Sequence, residues 1–320
     1  MTHSFRLSRR IARLRVPTMA AMVLLFGACN DNGSPLDPDT STPTEGAGTE
    51  IAATPIESPS FASSFAGGIP MGMFAMPTSS FGSRYNGALR NIYPQYLVRE
   101  LSGIKARGGK VVLNLAGGEK TYKDAQGHFS FDKWKQRVDR FKGVNFSSYL
   151  KDGTVIGHYI IDEPNDPSNW NGRTVSPATL EAMAKYSKQL WPGMPTIVRT
   201  YPDYLANYSG SYQYLDAAWA QYVYRFGDVN SFISKNVSLA QKKGLGLVVG
   251  LNILKGGPNK AKMTPSQVKS WGSALLSSSY PCAFLSWTYN STYLGTSGIQ
   301  DAMSYLRNKA ESRSSRSCRT

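Results

Sequence analysis

The stretch GTVIGHYIIDEP, residues 153–164, decides how the chain is read. From Val155 to Ile161 it is a nearly unbroken apolar run, and it then stops at Asp162, Glu163 and Pro164. A short continuous apolar run bounded by turn residues reads as a strand buried on both faces, the kind found in parallel sheets. Pro164 has no N–H with which to continue a ladder, so the strand ends there. A buried strand that finishes on two carboxylic acids is a place to look for chemistry.

The same grammar repeats on either side. Strands are predicted at 69–75 (IPMGMFA), 110–118 (KVVLNLAGG), 153–164, 195–202 (PTIVRTYP), 215–223 (LDAAWAQYV), 245–254 (LGLVVGLNIL) and 282–290 (CAFLSWTYN). Amphipathic helices are predicted over 93–109, 131–143, 176–193, 228–243, 264–278 and 297–312, several opened by a Ser or Thr cap. Strands alternating with helices over about 245 residues indicate a parallel sheet covered by helices, and the length suits an α/β (β/α)8 TIM barrel in one domain. Seven strands are legible, and the eighth is expected in the long interval 117–152, which makes the Asp-Glu-Pro strand the fourth. The alternative, an open doubly wound sheet, would carry a glycine-rich phosphate turn after its first strand. AMPTSSFG, residues 75–82, is not that turn.

In a TIM barrel the reacting groups gather where strands finish. The strand ends carry Asn114 with Glu119 beyond it, Asp162 and Glu163, Arg199 and Tyr201, Gln221 and Tyr222, Asn252, and Trp287 with Tyr289. The opposite ends carry turn residues such as Gly109, Gly153 and Pro195. Acids, amides, an arginine and aromatics at one end suit a carbohydrate: aromatic faces meet the C–H surface of a sugar, and amides or arginine meet its hydroxyls. Glycoside cleavage needs a carboxylic acid to protonate the leaving oxygen, and apolar neighbours raise an acid toward the neutral form this requires. The candidate catalytic pair is therefore Glu163 and Asp162, with Asp162 as the positioning member. The candidate substrate-binding residues are Asn114, Arg199, Tyr201, Gln221, Tyr222, Asn252, Trp287 and Tyr289. The bland alternative for the two acids is an ion pair at a strand end, for example with Arg199. Trp287 is read as sugar floor or barrel packing, and Tyr289, on the same face, as a stacking candidate.

The ending IIDEP resembles the Asn-Glu-Pro ending of the fourth strand in clan A glycoside hydrolases, with Asp162 in place of Asn. SWTYN, residues 286–290, resembles their last strand, whose Trp floors the sugar site. The resemblance covers roughly residues 68–312 and implies a glycoside hydrolase with Glu163 as general acid/base. The chain departs from the family at the seventh strand, where a second Glu serves as nucleophile. Here that strand reads LGLVVGLNILKGG, with Asn252 and Lys255 and no acid. Three readings stay open. Another acid serves (Asp203, Asp228 or Glu119), or Glu163 acts alone in another reaction, or the barrel binds glycan without cutting it.

The N-terminus sets the expected location. Arg6, Arg9, Arg10, Arg13 and Arg15 precede the apolar run MAAMVLLFGA, which ends at Cys29. This is the plan of a secretory signal, too short to span a bilayer as a helix. LLFGAC resembles a bacterial lipobox, which implies cleavage before Cys29 and lipidation of its thiol. Residues 1–28 are thus read as a lipoprotein signal peptide, 29–66 as a flexible linker rich in Ser, Thr, Pro and Gly, 67–312 as the barrel and 313–320 as a basic tail. The expected location is exported and lipid-anchored to the cell envelope, at the outer membrane or cell surface, with a carbohydrate and the membrane as partners.

The signal arginines account for five of the fifteen net positive charges, and the rest are spread singly. Nucleic acid is therefore not an expected partner. His3 falls in the signal, His128 in a polar loop and His158 mid-strand in the core, which leaves no metal-ligand spacing. No cofactor motif, G-x-S-x-G elbow or HExxH occurs. In a barrel, Cys282 opens the last strand at the bottom face, and the final helix returns Cys318 to that face. Export allows a disulfide between them; two free thiols on a disordered tail is the equal alternative.

Overall fold

The structure, a computed structural model, describes residues 68–82 and 84–319. Eight parallel strands close into a ring in chain order: β1 (Met71–Phe74), β2 (Gly87–Asn91), β3 (Lys110–Asn114), β4 (Val155–Asp162), β5 (Thr196–Arg199), β6 (Ala217–Tyr222), β7 (Gly246–Leu251) and β8 (Ala283–Ser286). β8 returns to pair with β1, with Gly72 opposite Leu285. The helices between them are α1 (Leu97–Ala106), α2 (Phe131–Asp139), α3 (Ser147–Lys151), α4 (Pro177–Leu190), α5 (Pro202–Ala206), α6 (Val229–Lys242), α7 (Pro265–Ser277), α8 (Ser291–Leu294) and α9 (Ser297–Glu311). The protein is a TIM barrel. The signal peptide, Cys29 and the linker lie outside the described residues.

The eighth strand is not where the sequence reading places it. The interval 117–152 holds α2, α3 and a short 3-10 turn, Glu119–Tyr122. The missing strand is β2, whose sequence GALRN has no β-branched residue and only two apolar ones. Its propensity is poor, and pairing on both sides makes it a strand: Gly87 lies opposite Gly72 in β1 and Lys110 in β3. The contact is close, since a Cβ on Gly72 would sit 1.7 Å from the Gly87 carbonyl oxygen. Glycine is needed here for backbone approach rather than for a turn.

Side chains alternate across the strands. One set fills the barrel lumen, including Leu89, Val112, Tyr159, Ile197, Trp219, Val248 and Leu285. The other packs outward against the helices, with Leu101, Ile104, Trp134, Met183 and Leu306 among its members. The helices start where their caps predict: Ser176 accepts from the Thr179 N–H, Asp228 from the Ser231 N–H, and Thr264 forms a capping box with Gln267. Each such cap stabilises its helix by about 1 kcal/mol.

His158 is a core histidine. Its Nδ1 is 2.8 Å from the Ser187 hydroxyl, and its ring lies between Trp134 and Trp191. At the bottom of the barrel Cys282 is disulfide-bonded to Cys318, with Cα atoms 5.1 Å apart. The tail after α9, disordered in the free-thiol alternative, is instead held. Arg313 donates to the Pro281 carbonyl, Arg316 lies over the Tyr280 ring, and Cys318 is buried. The reason is the bond itself, which draws Cys318 under the lowest layer of the lumen.

Candidate active site

β4 delivers its acids through an irregularity. Tyr159 faces the lumen, where its ring meets Trp219 at 5.7 Å. A strict period of two would send Asp162, three residues on, to the helix side. The β4–β5 register shifts between Tyr159 and Ile161. Such an extra residue re-aims the chain, as bulges do beside active sites. Asp162 therefore turns inward, opposite Arg199 at the end of β5. Glu163 follows in the left-handed region, with φ of 34°, a conformation that strains a residue with a Cβ by about 1–3 kcal/mol. Hydrogen bonds to its backbone hold it there. Its N–H donates to the Arg199 carbonyl at 3.0 Å, and its carbonyl accepts from the Trp170 indole at 3.2 Å.

Arg199 is the hub of the mouth. Its Nε donates to Asp162 Oδ1, its Nη2 lies 3.2 Å from Glu163 Oε1, and its Nη1 donates to Gln221 Oε1 at 2.9 Å. Its guanidinium also stands 4.7 Å from the centroid of the Trp287 ring. Trp287 also stacks on Phe74, with centroids 4.3 Å apart and planes within 8°. Burial opposes the arginine's charge, but Asp162, Tyr159 and Glu163 raise its pKa well above the ordinary value. The ion pair read from the sequence as the bland alternative is present, and it sits inside the mouth rather than on the surface.

Partial burial raises the Glu163 carboxyl above the usual range, against the pull of Arg199. Its side chain keeps 41% of its surface exposed, so a ligand in the mouth can reach it. Glu119, first residue of the turn after β3, is the third acid here. Burial, then the charge of Asp162, pushes its carboxyl up to about 7, with Glu163 adding to the rise and Lys123 opposing it.

The remaining predicted residues divide by what they touch. Gln221 is buried and spent on Arg199 and the Leu251 carbonyl. Asn114 uses both ends of its amide on Gly117 and so shapes the loop that carries Glu119. Tyr201 lies at the rim, its hydroxyl donating to the Gln221 carbonyl and its ring against Phe226. Asn252 is half-buried and accepts from the Lys255 N–H. Tyr289 is half-buried beside β1, where its hydroxyl accepts from Ser80. Tyr222 is a correction: its ring packs on Phe232 of α6 and Trp271 of α7, and its hydroxyl donates to the Gly227 carbonyl. It faces the helix layer, because Gln221 takes the inward position of that strand end.

The sequence reading does not single out Phe74, and it names Glu119 only among three possible second acids. The other two stand apart from the mouth's charges. Asp228 is the cap of α6, and Asp203 is exposed and paired with Lys235 at 3.2 Å. Among the described residues no group of three His, Cys, Asp or Glu side chains is placed to hold a metal ion, and no helix is long and apolar enough to cross a membrane.

No family model and no curated protein matches the chain. Solved structures do resemble it. Xylanase 10B from Thermotoga petrophila, in complex with xylobiose, is 13% identical over 76% of this chain and 94% of its own, with a TM-score of 0.51. A glucosidase from Croceicoccus marinus is 11% identical over 76% of this chain and 67% of its own, with a TM-score of 0.52. At such identity the likeness shows the fold alone: this barrel is built like those of glycan-degrading glycoside hydrolases.

Proposed function

We propose that the chain is an exported, lipid-anchored glycoside hydrolase acting on a glycan, with Glu163 as an acid/base carboxyl and Asp162 and Arg199 positioning it. One observation carries this reading. A reachable carboxyl, raised by burial, stands at the mouth of a closed barrel beside the Phe74–Trp287 stack, whose Trp ring meets the Arg199 cation. The half-buried Phe74 and Trp287 leave ring surface for the C–H groups of a sugar, and the carboxyl moves a proton during cleavage of the glycosidic bond. A neighbour of the same fold holds xylobiose, which favours a carbohydrate ligand. The basic, apolar N-terminus ending at Cys29 supports export and lipid anchoring, and the Cys282–Cys318 bond fits an oxidising compartment.

The test is a reducing-sugar screen of the purified barrel on a broad glycan panel, with Glu163→Gln alongside. Turnover by the native protein and a loss of about 10²–10⁴-fold in the variant is the expected result. Palmitate labelling of the full chain, abolished by Cys29→Ser, tests the anchor. A second reading, a silent glycan-binding barrel, is favoured by Asn252 at the end of β7, where no acid stands. Glycan binding without turnover in both proteins would establish it instead.

A further inference from the structure

The barrel lacks an acid at the end of β7 and carries one that the family pattern does not ask for. Glu119 opens the turn after β3, on the same face as Glu163, and keeps a quarter of its side-chain surface exposed. The groups facing it are Lys123, 3.5 Å from its Oε2, the neighbouring Tyr122, and across the mouth Asp162 and Glu163. The two loops that carry Glu119 and Glu163 are tied together by Trp170. Its indole donates to the Glu163 carbonyl, its ring stacks on Tyr122 of the Glu119 turn and meets Phe129 edge-on, and Lys123 lies over it at 5.1 Å. That shared tryptophan joins the two loops that carry the carboxyls, and a concerted reaction needs both held in place.

We infer that Glu119 is the second catalytic carboxyl: it donates the proton to the leaving glycosidic oxygen while Glu163, held by Arg199, takes a proton from the attacking water. This rests on the hydrolase reading above and assigns its missing partner. In the step, the water oxygen bonds to the anomeric carbon as the glycosidic C–O bond breaks. The bonding pair leaves with the departing oxygen, which receives the Glu119 proton, and Glu163 receives one water proton. Solvent then returns the proton from Glu163 to Glu119, so the cycle closes. Direct attack by water inverts the anomeric carbon. The placement is consistent with the raised Glu119 carboxyl, which holds a proton near neutrality, and with the cation that contacts Glu163.

The experiment uses leaving-group ability as a probe. Native protein, Glu119→Gln, Glu119→Asp and Glu163→Gln are assayed on the glycan panel. They are also assayed on 2,4-dinitrophenyl and phenyl glycosides of xylose, glucose, mannose and galactose and of their β-1,4 disaccharides. Thermal melts confirm that each variant is folded. A dinitrophenolate needs no proton to leave. Glu119→Gln is therefore expected to lose about 10²–10⁴-fold on glycans and phenyl glycosides and to stay within about tenfold of native on the dinitrophenyl substrates. Its fall in rate above about pH 7 should vanish. Glu163→Gln should lose both substrate classes, and proton NMR of the first product should show the inverted anomer. Equal rates for Glu119→Gln and native protein on glycans, or a retained anomer, overturns the inference and leaves the hydrolase reading standing. Absence of turnover by the native protein on every substrate overturns both.

Discussion

Arg199 lies over Trp287, with its guanidinium 4.7 Å from the ring centroid. The same group binds Asp162 and Glu163, so one buried side chain joins the acids of β4 to the aromatic of β8. The planar fork matters here, because it meets carboxylates along its edge while its face rests on a ring. Arg199→Met removes one partner of a buried pair and should destabilise the barrel by about 3–5 kcal/mol, read from urea melts. Arg199→Lys keeps the charge but loses the fork, and it should fall between the two. A methionine variant as stable as native would remove Arg199 from its place as hub.

Glu119 gives the fold its own pH signature. Its carboxyl is held up to about 7 against an ordinary 4.5, so the folded chain keeps a proton that the unfolded chain releases. The stabilisation from this group is whole below about pH 4.5, declines as pH rises, and is lost above about 7. It amounts to about 3 kcal/mol at 1.36 kcal/mol per unit. Glu119→Gln stays neutral throughout. It should match native stability at pH 4 and exceed it at pH 8, in paired denaturant melts. An identical difference at both pH values would contradict this.

His158 acts in the opposite direction. Burial lowers its pKa to about 3 from an ordinary 6.5, so the folded chain refuses a proton that the unfolded chain accepts. Stability is full above about pH 6.5 and is lost as pH falls toward 3, by up to about 5 kcal/mol. In His158→Gln the slope of stability against pH between 6.5 and 4 should flatten, whatever the absolute loss from the missing Ser187 contact. A slope unchanged from native would show that another group governs acid unfolding.

These groups were unequally visible in the sequence. Apolar runs such as YII and LVV announce parallel strands because they are buried on both faces, so the barrel and the position of Asp162 and Glu163 are legible. β2 was not, since GALRN takes its strand form from its neighbours. The inward turn of Asp162 depends on a register shift that no residue marks. For Tyr222 and Gln221, adjacent at one strand end, only the alternation decides which looks into the mouth. Glu119 has no motif at all. Its importance comes from Asp162 and Glu163, which lie about forty residues further along the chain and meet it only after folding.

The bottom of the barrel is held by covalent means. The Cys282–Cys318 bond spans 36 residues, and on the chain-entropy model closing a loop of that length stabilises the fold by about 4 kcal/mol. Cys318→Ser, or reduction of the native protein, should lower stability by about 2–4 kcal/mol in guanidinium melts while leaving glycan turnover at 25 °C unchanged. Loss of turnover in a folded Cys318→Ser protein would show that the tail reaches the other face.

That bond also sets an order of assembly. One sulfur sits on the eighth strand and the other beyond the last helix, and a Cβ on Gly246 of the seventh strand would fall 2.5 Å from the Cys318 carbonyl. For a chain made from its N-terminus, the latch has nothing to close on until the ring is complete. A molecule clipped ahead of Cys318 can never fasten it. A thiol-reactive dye at Cys282, read after denaturation, thus counts the unfastened copies in any preparation.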